Sequence, residues 1–335
     1  MSTEQVDQFT EFIQKHFLQN KENTFMPTKE NILPYFTCAT AASPCFFSFY
    51  KEPEIVQTAD LNVDSLVEKK KIVGIMSSRP VTVAFRKSNS NVETIDVYYV
   101  DYLCVDSANR KKGIAPQIIQ THEYTQRHYE TNPISVSLFK REGTLTGIVP
   151  LTIFSIYAFN MSKWVRPSEL LPLVSLLECT KTNFHFIVDF LKEMEEKKKF
   201  TMTICPSLTN ILDIILSKNI YVYFLLKEHT IKAVYFFKKT CAYMRKGAEF
   251  LSCIASINNC QKSELFIHGY KVALWRIKMA HPDFQYAVVE EISDNYWIVD
   301  ALKKRTKPEF TNPAAYFFYN RAQHTIPSAK MLVLL

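Results

Sequence analysis

The chain has 335 residues, 47% of them hydrophobic and 13% aromatic, and a formal net charge of +7. That length suffices for two compact halves, and the apolar content excludes a disordered chain. Six glycines are about 2% of the chain against the ~7% usual in proteins, which counts against collagen-like and glycine-linker readings.

Val6, Phe9, Phe12, Ile13 and Phe17 recur at helical spacing and predict an amphipathic helix over the first twenty residues. A second short helix is expected over 28–36, then an aromatic, extended segment from 44 to 58. A polar loop is expected through Asp60–Glu68, ending in Lys69–Lys71. Ile72–Met76 and Val81–Arg86 read as two β segments, Lys87–Asn91 as a turn, and Thr94–Val105 as the clearest strand. Asp106–Lys112 is a polar loop before a helix from Ile114 to Glu130. A strand at Ile134–Phe139, a loop around Gly143 and Gly147, and an apolar stretch from Val149 to Asn160 follow. Further helices are predicted at Thr182–Lys199, Leu208–Leu216 and Glu264–Met279. Strands are predicted at Ile220–Leu226, Ile231–Phe237, Phe250–Ile257, Tyr286–Ile292 and Trp297–Val299. Tyr316–Tyr319 and Met331–Leu335 close the chain. The order gives a mixed α/β fold, with a boundary between halves around Pro167–Pro172.

Eight cysteines are spread without Cys-x-x-Cys spacing or a histidine at ligand distance, so no metal site is expected and the thiols read as reduced. The polar start lacks the basic and apolar regions of a signal peptide, and no apolar run reaches the ~18–20 residues that span a bilayer. These features give an expectation of a soluble, cytoplasmic monomer. The positive balance favours anionic partners. Lys69–Lys71, Lys197–Lys199 and Lys303–Arg305 lack aromatic interleaving and read as solvated faces, so nucleic acid is not an expected partner.

The chemistry concentrates where Tyr99–Val105 feeds the loop Asp106–Lys112 and the following helix. First-turn N–H groups of a helix have no intrahelical partners and, with the positive end of the dipole, form an anion site. Arg110, Lys111 and Lys112 add charge, Gly113 lets the backbone approach a phosphate, and Pro116 fits the first turn. The spacing Arg110-x-x-Gly113-x-Ala115 matches the acyl-CoA pyrophosphate loop of the GNAT acyltransferase superfamily.

Several blocks, in order and at compatible spacing, resemble the N-myristoyltransferases. They are Lys71-Ile-Val-Gly-Ile-Met-Ser-Ser-Arg-Pro80, then Leu103-Cys-Val105 with Arg110, Lys112 and Ala115-Pro116. Ala315-Tyr-Phe-Phe-Tyr-Asn320 and the apolar ending Lys330–Leu335 complete the set. The resemblance implies two fused GNAT-like halves with pseudo-two-fold symmetry. Residues 1–166 would bind acyl-CoA, and 167–335 would supply the peptide groove and the C-terminal carboxylate. It further implies transfer of a myristoyl group from myristoyl-CoA, a co-substrate, to the N-terminal glycine amine of a protein by direct attack on the thioester. The backbone N–H groups of Tyr102 and Leu103 would form the oxyanion hole, and the carboxylate of Leu335 would be the base. Leu103, Cys104, Val105 and the run Arg110, Lys111, Lys112, Gly113, Ile114, Ala115 and Pro116 would hold acyl-CoA. Asp101, Lys140, Phe154, Asn160 and Tyr316 would fall on the peptide side.

The departures are specific. Asp101 stands where the family has Asn, Lys140 where it has a Thr that helps hold the glycine amine, and Phe154–Asn160 lacks the family's peptide-contacting His. Lys307–Pro313 replaces a Gly-Asp-Gly loop, and the aromatic N-terminal segment that packs around CoA is missing. These changes keep two alternatives open: another acyl chain or amine acceptor, or a catalytically degenerate fold that binds acyl-CoA or peptide.

Overall fold

The computed structural model describes residues 2–19, 23–37, 43–60, 63–86, 92–129, 134–145, 147–244 and 247–335. The first half runs α1 (Thr3–His16), β1 (Asn23–Phe25), α2 (Lys29–Ile32), β2 (Phe46–Asp60) and β3 (Val63–Arg86). It continues with β4 (Val92–Val105), α3 (Ile114–Arg127), β5 (Ser137–Glu142) and β6 (Thr152–Asn160). The second half runs β7 (Val174–Glu178), α4 (Phe184–Glu196), β8 (Met202–Cys205), α5 (Leu208–Leu216), β9 (Ile220–Lys227) and β10 (Thr230–Met244). It ends with β11 (Glu249–Asn258), α6 (Ser263–Ala280), β12 (Phe284–Glu290), α7 (Asn295–Lys303), β13 (Phe310–Tyr319) and β14 (Met331–Val333).

The first helix forms as its pattern predicts. Ser2 Oγ accepts from Gln5 N–H while Gln5 Oε1 accepts from Ser2 N–H, and Phe9, Phe12 and Ile13 face inward. Four expectations change. Val63–Glu68 is strand rather than loop, because β3 pairs with β2 from the Asp60–Val63 end onward. Ile72–Met76 and Val81–Arg86 are one strand, since Ser77–Pro80 pairs through to β4. Trp297–Val299 lies inside α7, where Ile298, Val299 and Leu302 are buried on one helical face. The strand expected at Ile134–Phe139 begins three residues later, at Ser137. Lys87–Asn91 and Glu130 lie outside the described residues.

One mixed sheet runs in the order β14-β8-β3-β4-β5-β13-β6-β12-β11-β10-β9-β7, with β2 added to β3 and β1 to β10. Two β-α-β units organise it. In β4-α3-β5 and β11-α6-β12 the outer strands pair in parallel, as a helical crossover requires. Strands pair across the two halves: β6 with β12, and β13 with β5. The final strand, β14, pairs in parallel with β8, which itself pairs with β3 of the first half. The boundary expected at 166/167 falls between β6 and β7, and strands from either side of it pair with one another.

α3 lies close over β3 because Gly74 has no side chain. A Cβ there would stand 2.5 Å from Ile118 Cδ1 and 3.3 Å from Ile114 Cγ2. Gly74→Val is therefore expected to cost about 1–3 kcal/mol of stability by overpacking, read from the urea midpoint. No shift of that midpoint would show that α3 moves freely.

Candidate active site

β4 leaves its neighbour soon after meeting it. Among the described residues the β4–β5 pairing consists of Tyr98 with Ser137 and Tyr99 with Leu138. Beyond Tyr99, β4 follows β3 and β5 follows β13. On the β3 side the register slips: Ser78 faces Val100 and Ser77 faces Tyr102, which makes Asp101 the extra residue of a β-bulge. Bulges re-aim the backbone next to them. The two residues that follow are Tyr102 and Leu103.

The bulge is braced by charge. Arg79, fully buried on β3, donates from Nε to both carboxylate oxygens of Asp101 at 3.1 Å. Burial raises the Asp101 carboxyl above its ordinary range, and the Arg79 guanidinium opposes that rise. From the opposite face, His122 on α3 contacts Ser48 Oγ through Nδ1 and Ser78 Oγ through Nε2, each at 2.8 Å. Gln126 Nε2 donates to the same Ser78 Oγ at 2.6 Å. Burial pushes His122 down to about 4, so it is neutral at physiological pH and serves as a fixed hydrogen-bonding post between α3 and the bulged strands.

Between the parted strands lies a cavity of about 540 Å³. Tyr99, Asp101 and Tyr102 line it from β4, Lys140 and Glu142 from β5, and Glu290 from β12. Lys238 to Ala242 line it from β10, so both halves form its wall. Lys140 Nζ lies 2.8 Å from Glu142 and 3.0 Å from Glu290. Burial works against the Lys140 ammonium, but Glu290 and Glu142 more than offset it and hold it charged well above the usual lysine range. Lys238 Nζ donates to the Leu335 main-chain oxygen at 3.0 Å and lies 4.8 Å from the centre of the Tyr35 ring.

The residues singled out in the sequence fall into three groups. Asp101, Tyr102 and Lys140 meet at the cavity. Phe154 and Tyr316 stack at 5.7 Å beside Lys140, whose Nζ is 5.7 Å from the Phe154 ring centre. Asn160 stands apart, donating to the Tyr286 hydroxyl at 3.5 Å and capping Ser162 N–H. Leu103, Cys104 and Val105 continue along β4. Burial raises the Cys104 thiol to about 11, which removes it as a nucleophile at neutral pH. Asp106 caps the turn after β4 by accepting from Ala108 N–H at 3.0 Å. Gly113, at φ +79, is the N-cap of α3, so its role here is the left-handed backbone rather than close packing. Ile114 is buried beneath the helix start, Ala115 is half-buried, and Lys111, Lys112 and Pro116 are exposed. Lys112 Nζ bonds Asn109 Oδ1 at 2.6 Å. Arg110 Nε donates to Val105 O at 3.2 Å, and an Arg110 terminal nitrogen donates to His16 O at 3.1 Å, tying the end of α1 to the loop. Met331 to Leu335 are all buried, and Leu335 is not among the residues lining the cavity; Lys238, its partner, is.

Arg79, Glu142, Lys238 and Glu290 were not anticipated. Lys238 and Glu290 each end an apolar run, Phe236-Phe237 and Ala287-Val288-Val289, and a charge buried in a sheet must find a partner. Arg79 instead follows Ser77-Ser78, and Glu142 ends its strand exposed. Among the described residues no group of three or more His, Cys, Asp or Glu side chains is placed to hold a metal, and no helix is long and apolar enough to cross a membrane.

No protein-family model matches the chain, and no curated protein matches it. The similarity is in structure. A Saccharomyces cerevisiae N-myristoyltransferase with bound myristoyl-CoA superposes at TM-score 0.71 and 12% identity, over 98% of this chain and 78% of that one. The chain has the N-myristoyltransferase fold. The same yeast protein with myristoyl-CoA and inhibitors gives TM-score 0.71 at 12% identity, over 98% of this chain and 80% of the other. A tandem GNAT protein from the clavulanic acid biosynthesis pathway gives 0.60 at 8% identity, with 96% of each chain covered. Two fused GNAT-like halves therefore describe the architecture, and in this N-myristoyltransferase fold the parallel units β4-α3-β5 and β11-α6-β12 are the repeated element.

Proposed function

We propose that the chain is a CoA-dependent N-acyltransferase that moves a myristoyl group from myristoyl-CoA to the N-terminal glycine amine of a peptide or protein. The observation that carries this reading is the opening where β4 parts from β5, with the Asp101 bulge beside it and a cavity shared by both halves. In this reading the CoA phosphates meet the loop and helix start from Arg110 through Pro116. The thioester carbonyl lies against the backbone N–H groups of Tyr102 and Leu103, where donors aimed at developing negative charge contribute ~3–4 kcal/mol each. The amine enters the cavity past Asp101, Lys140 and the Phe154–Tyr316 stack. A terminal carboxylate on Leu335 receives the amine's proton. Residues 1–166 act as the acyl-CoA half, and 167–335 contribute the acceptor side.

A different amine acceptor or acyl chain is the second reading, and the Lys140–Glu142–Glu290 cluster favours it. Three charged side chains occupy a place where the resemblance implies a neutral hydroxyl, so the acceptor's polar contacts must differ.

Acyl-CoAs of graded chain length, offered with glycine-presenting and lysine-presenting peptides and followed by mass spectrometry, test both readings. Transfer to N-terminal glycine supports the first, and transfer to another amine or from another chain supports the second. Tight acyl-CoA binding with no transfer to any peptide would overturn both in favour of a binding protein. Arg110→Ala with Lys112→Ala is expected to weaken acyl-CoA binding about 3- to 10-fold by calorimetry, as expected for two exposed charged hydrogen-bond donors. Unchanged affinity would place the phosphates elsewhere.

A further inference from the structure

One wall of the cavity is a sheet face of the second half. Phe250, Ser252 and Ile254 of β11 line it, while the alternate residues Leu251 and Cys253 pack into the core beneath α6. Ser252 lies opposite Lys238 on β10 and Val288 on β12, both of which also line the cavity, so its hydroxyl stands beside the lysine on that face. Ser252 is 4% exposed, and its Oγ has no hydrogen-bond partner among the described residues. A buried hydroxyl left without a partner is costly, and one aimed into a binding cavity is placed to meet a ligand atom.

We propose that Ser252 and Lys238 form a subsite for a carboxylate on the residue that follows the acceptor's N-terminal glycine. This deepens the acyltransfer reading and rests on it. The other charges at the cavity are already engaged: Asp101 with Arg79, and Lys140 with Glu142 and Glu290. Lys239 lies in the field of Glu249. Lys238 Nζ donates to Leu335 O at 3.0 Å and lies 4.8 Å from the Tyr35 ring centre, contacts that both favour an ammonium. Burial and then the Arg79 guanidinium lower it to about 8, which leaves it charged at pH 7.

An acceptor ammonium directed at a Leu335 carboxylate sets two cations, itself and Lys238, against that one anion. A carboxylate beside Lys238 restores the balance, and the Ser252 hydroxyl donates to its second oxygen. A basic side chain there adds a third cation, and an apolar one leaves Ser252 without a partner. Lys238 reaches Leu335 with its Nζ while its backbone pairs with Ser252. The length of one lysine side chain is matched by a glycine and the start of the side chain after it, which places the subsite at the second residue of the acceptor.

The test uses glycine peptides that differ only in the second residue, Asp, Asn, Leu or Lys, at pH 7 with wild-type protein and Ser252→Ala. Calorimetry gives Kd with a non-transferable thioether analogue of myristoyl-CoA bound, and kcat/KM is read with myristoyl-CoA. Wild type is expected to favour Asp over Leu about tenfold in both quantities, with Asn between them and Lys last. Ser252→Ala is expected to cut that ratio to about two- to threefold, the part left to Lys238. It is also expected to keep the wild-type urea midpoint, because the hydroxyl makes no bond within the fold. Equal use of Asp and Leu by wild type, or an Asp preference that survives Ser252→Ala unchanged, overturns the subsite and leaves acyl transfer standing. A midpoint lowered by Ser252→Ala assigns the hydroxyl to the fold and overturns it as well. Tight binding of the Asp peptide that depends on Ser252, with transfer to no peptide, overturns the acyltransfer reading and supports the carboxylate subsite.

Discussion

Arg79→Met is expected to lower the unfolding free energy by about 3–5 kcal/mol, because it removes one partner of a buried ion pair and leaves the other charge unpaired. Arg79 is 0% exposed and the Asp101 side chain 10%, so water gives little relief. The sign of the pH dependence follows from Asp101, whose carboxyl is already raised by burial against the pull of Arg79. Without the guanidinium, its folded-state affinity for a proton rises further above the unfolded value of ~3.9. The native state then binds more protons than the unfolded one, and stability falls as pH rises from that value through the folded one. The loss is therefore expected to be smallest near pH 4 and largest at neutral pH, measured as urea midpoints across that window. Arg79→Met with Asp101→Asn removes both charges and is expected to recover most of the loss. Equal destabilisation at every pH would show that packing of Arg79 against Tyr35 and Tyr99, at 5.3 and 5.4 Å from their ring centres, outweighs its charge.

The variant also bears on the reaction. Asp101 is the extra residue of the bulge, and Tyr102 and Leu103 follow it directly. If the pair fixes the direction of those N–H groups, Arg79→Met loses turnover in conditions where it stays folded, while acyl-CoA still binds through the loop before α3. Stability and turnover are thereby separable at one position.

How much of this was legible in the sequence divides along physical lines. The strand, loop and helix from Thr94 to α3 were readable because periodicity, a polar loop and a glycine all act locally. Leu208–Leu216 was readable for the same reason, as its apolar positions repeat at helical spacing. Trp297–Val299 misled because a short apolar run has no period of its own; only burial of Ile298, Val299 and Leu302 on one face shows a helix. Ser77–Pro80 concealed a continuous strand because its polar residues read as a break, whereas its backbone pairs through to β4 and Ser78 Oγ meets His122 on α3. The exchange of β6 and β13 between halves depends on pairings more than 120 residues apart in sequence, such as Tyr286 with Asn160 and Tyr316 with Thr152. These pairings left no local mark. At the site, Asp101 and Lys140 stood out as departures from a resembled pattern, but their partners Arg79 and Glu290 lie on other strands, while Glu142 meets Lys140 from two residues along β5. Lys238 and Leu335 meet only because β14 crosses to β8.

Adding two residues after Leu335 is expected to lower transfer by about 100-fold or more while acyl-CoA affinity changes by less than about twofold. The addition converts a carboxylate into an amide carbonyl, which still accepts a hydrogen bond from Lys238 but can no longer take the amine's proton. It also asks a segment buried from Met331 to Leu335 to admit further chain, so acyl-CoA binding serves as the check that the first half is intact. A tag removed by a protease that leaves Leu335 as the last residue makes the comparison reversible. Recovery of transfer on cleavage assigns the loss to the charge or to the path of the added residues rather than to a damaged fold. A second arm separates those two: a C-terminal amide on Leu335, made by ligating a short synthetic peptide, removes the charge and adds no chain. Loss in both arms ties the reaction to a carboxylate at Leu335. Undiminished turnover in the amide would withdraw the role of a terminal base.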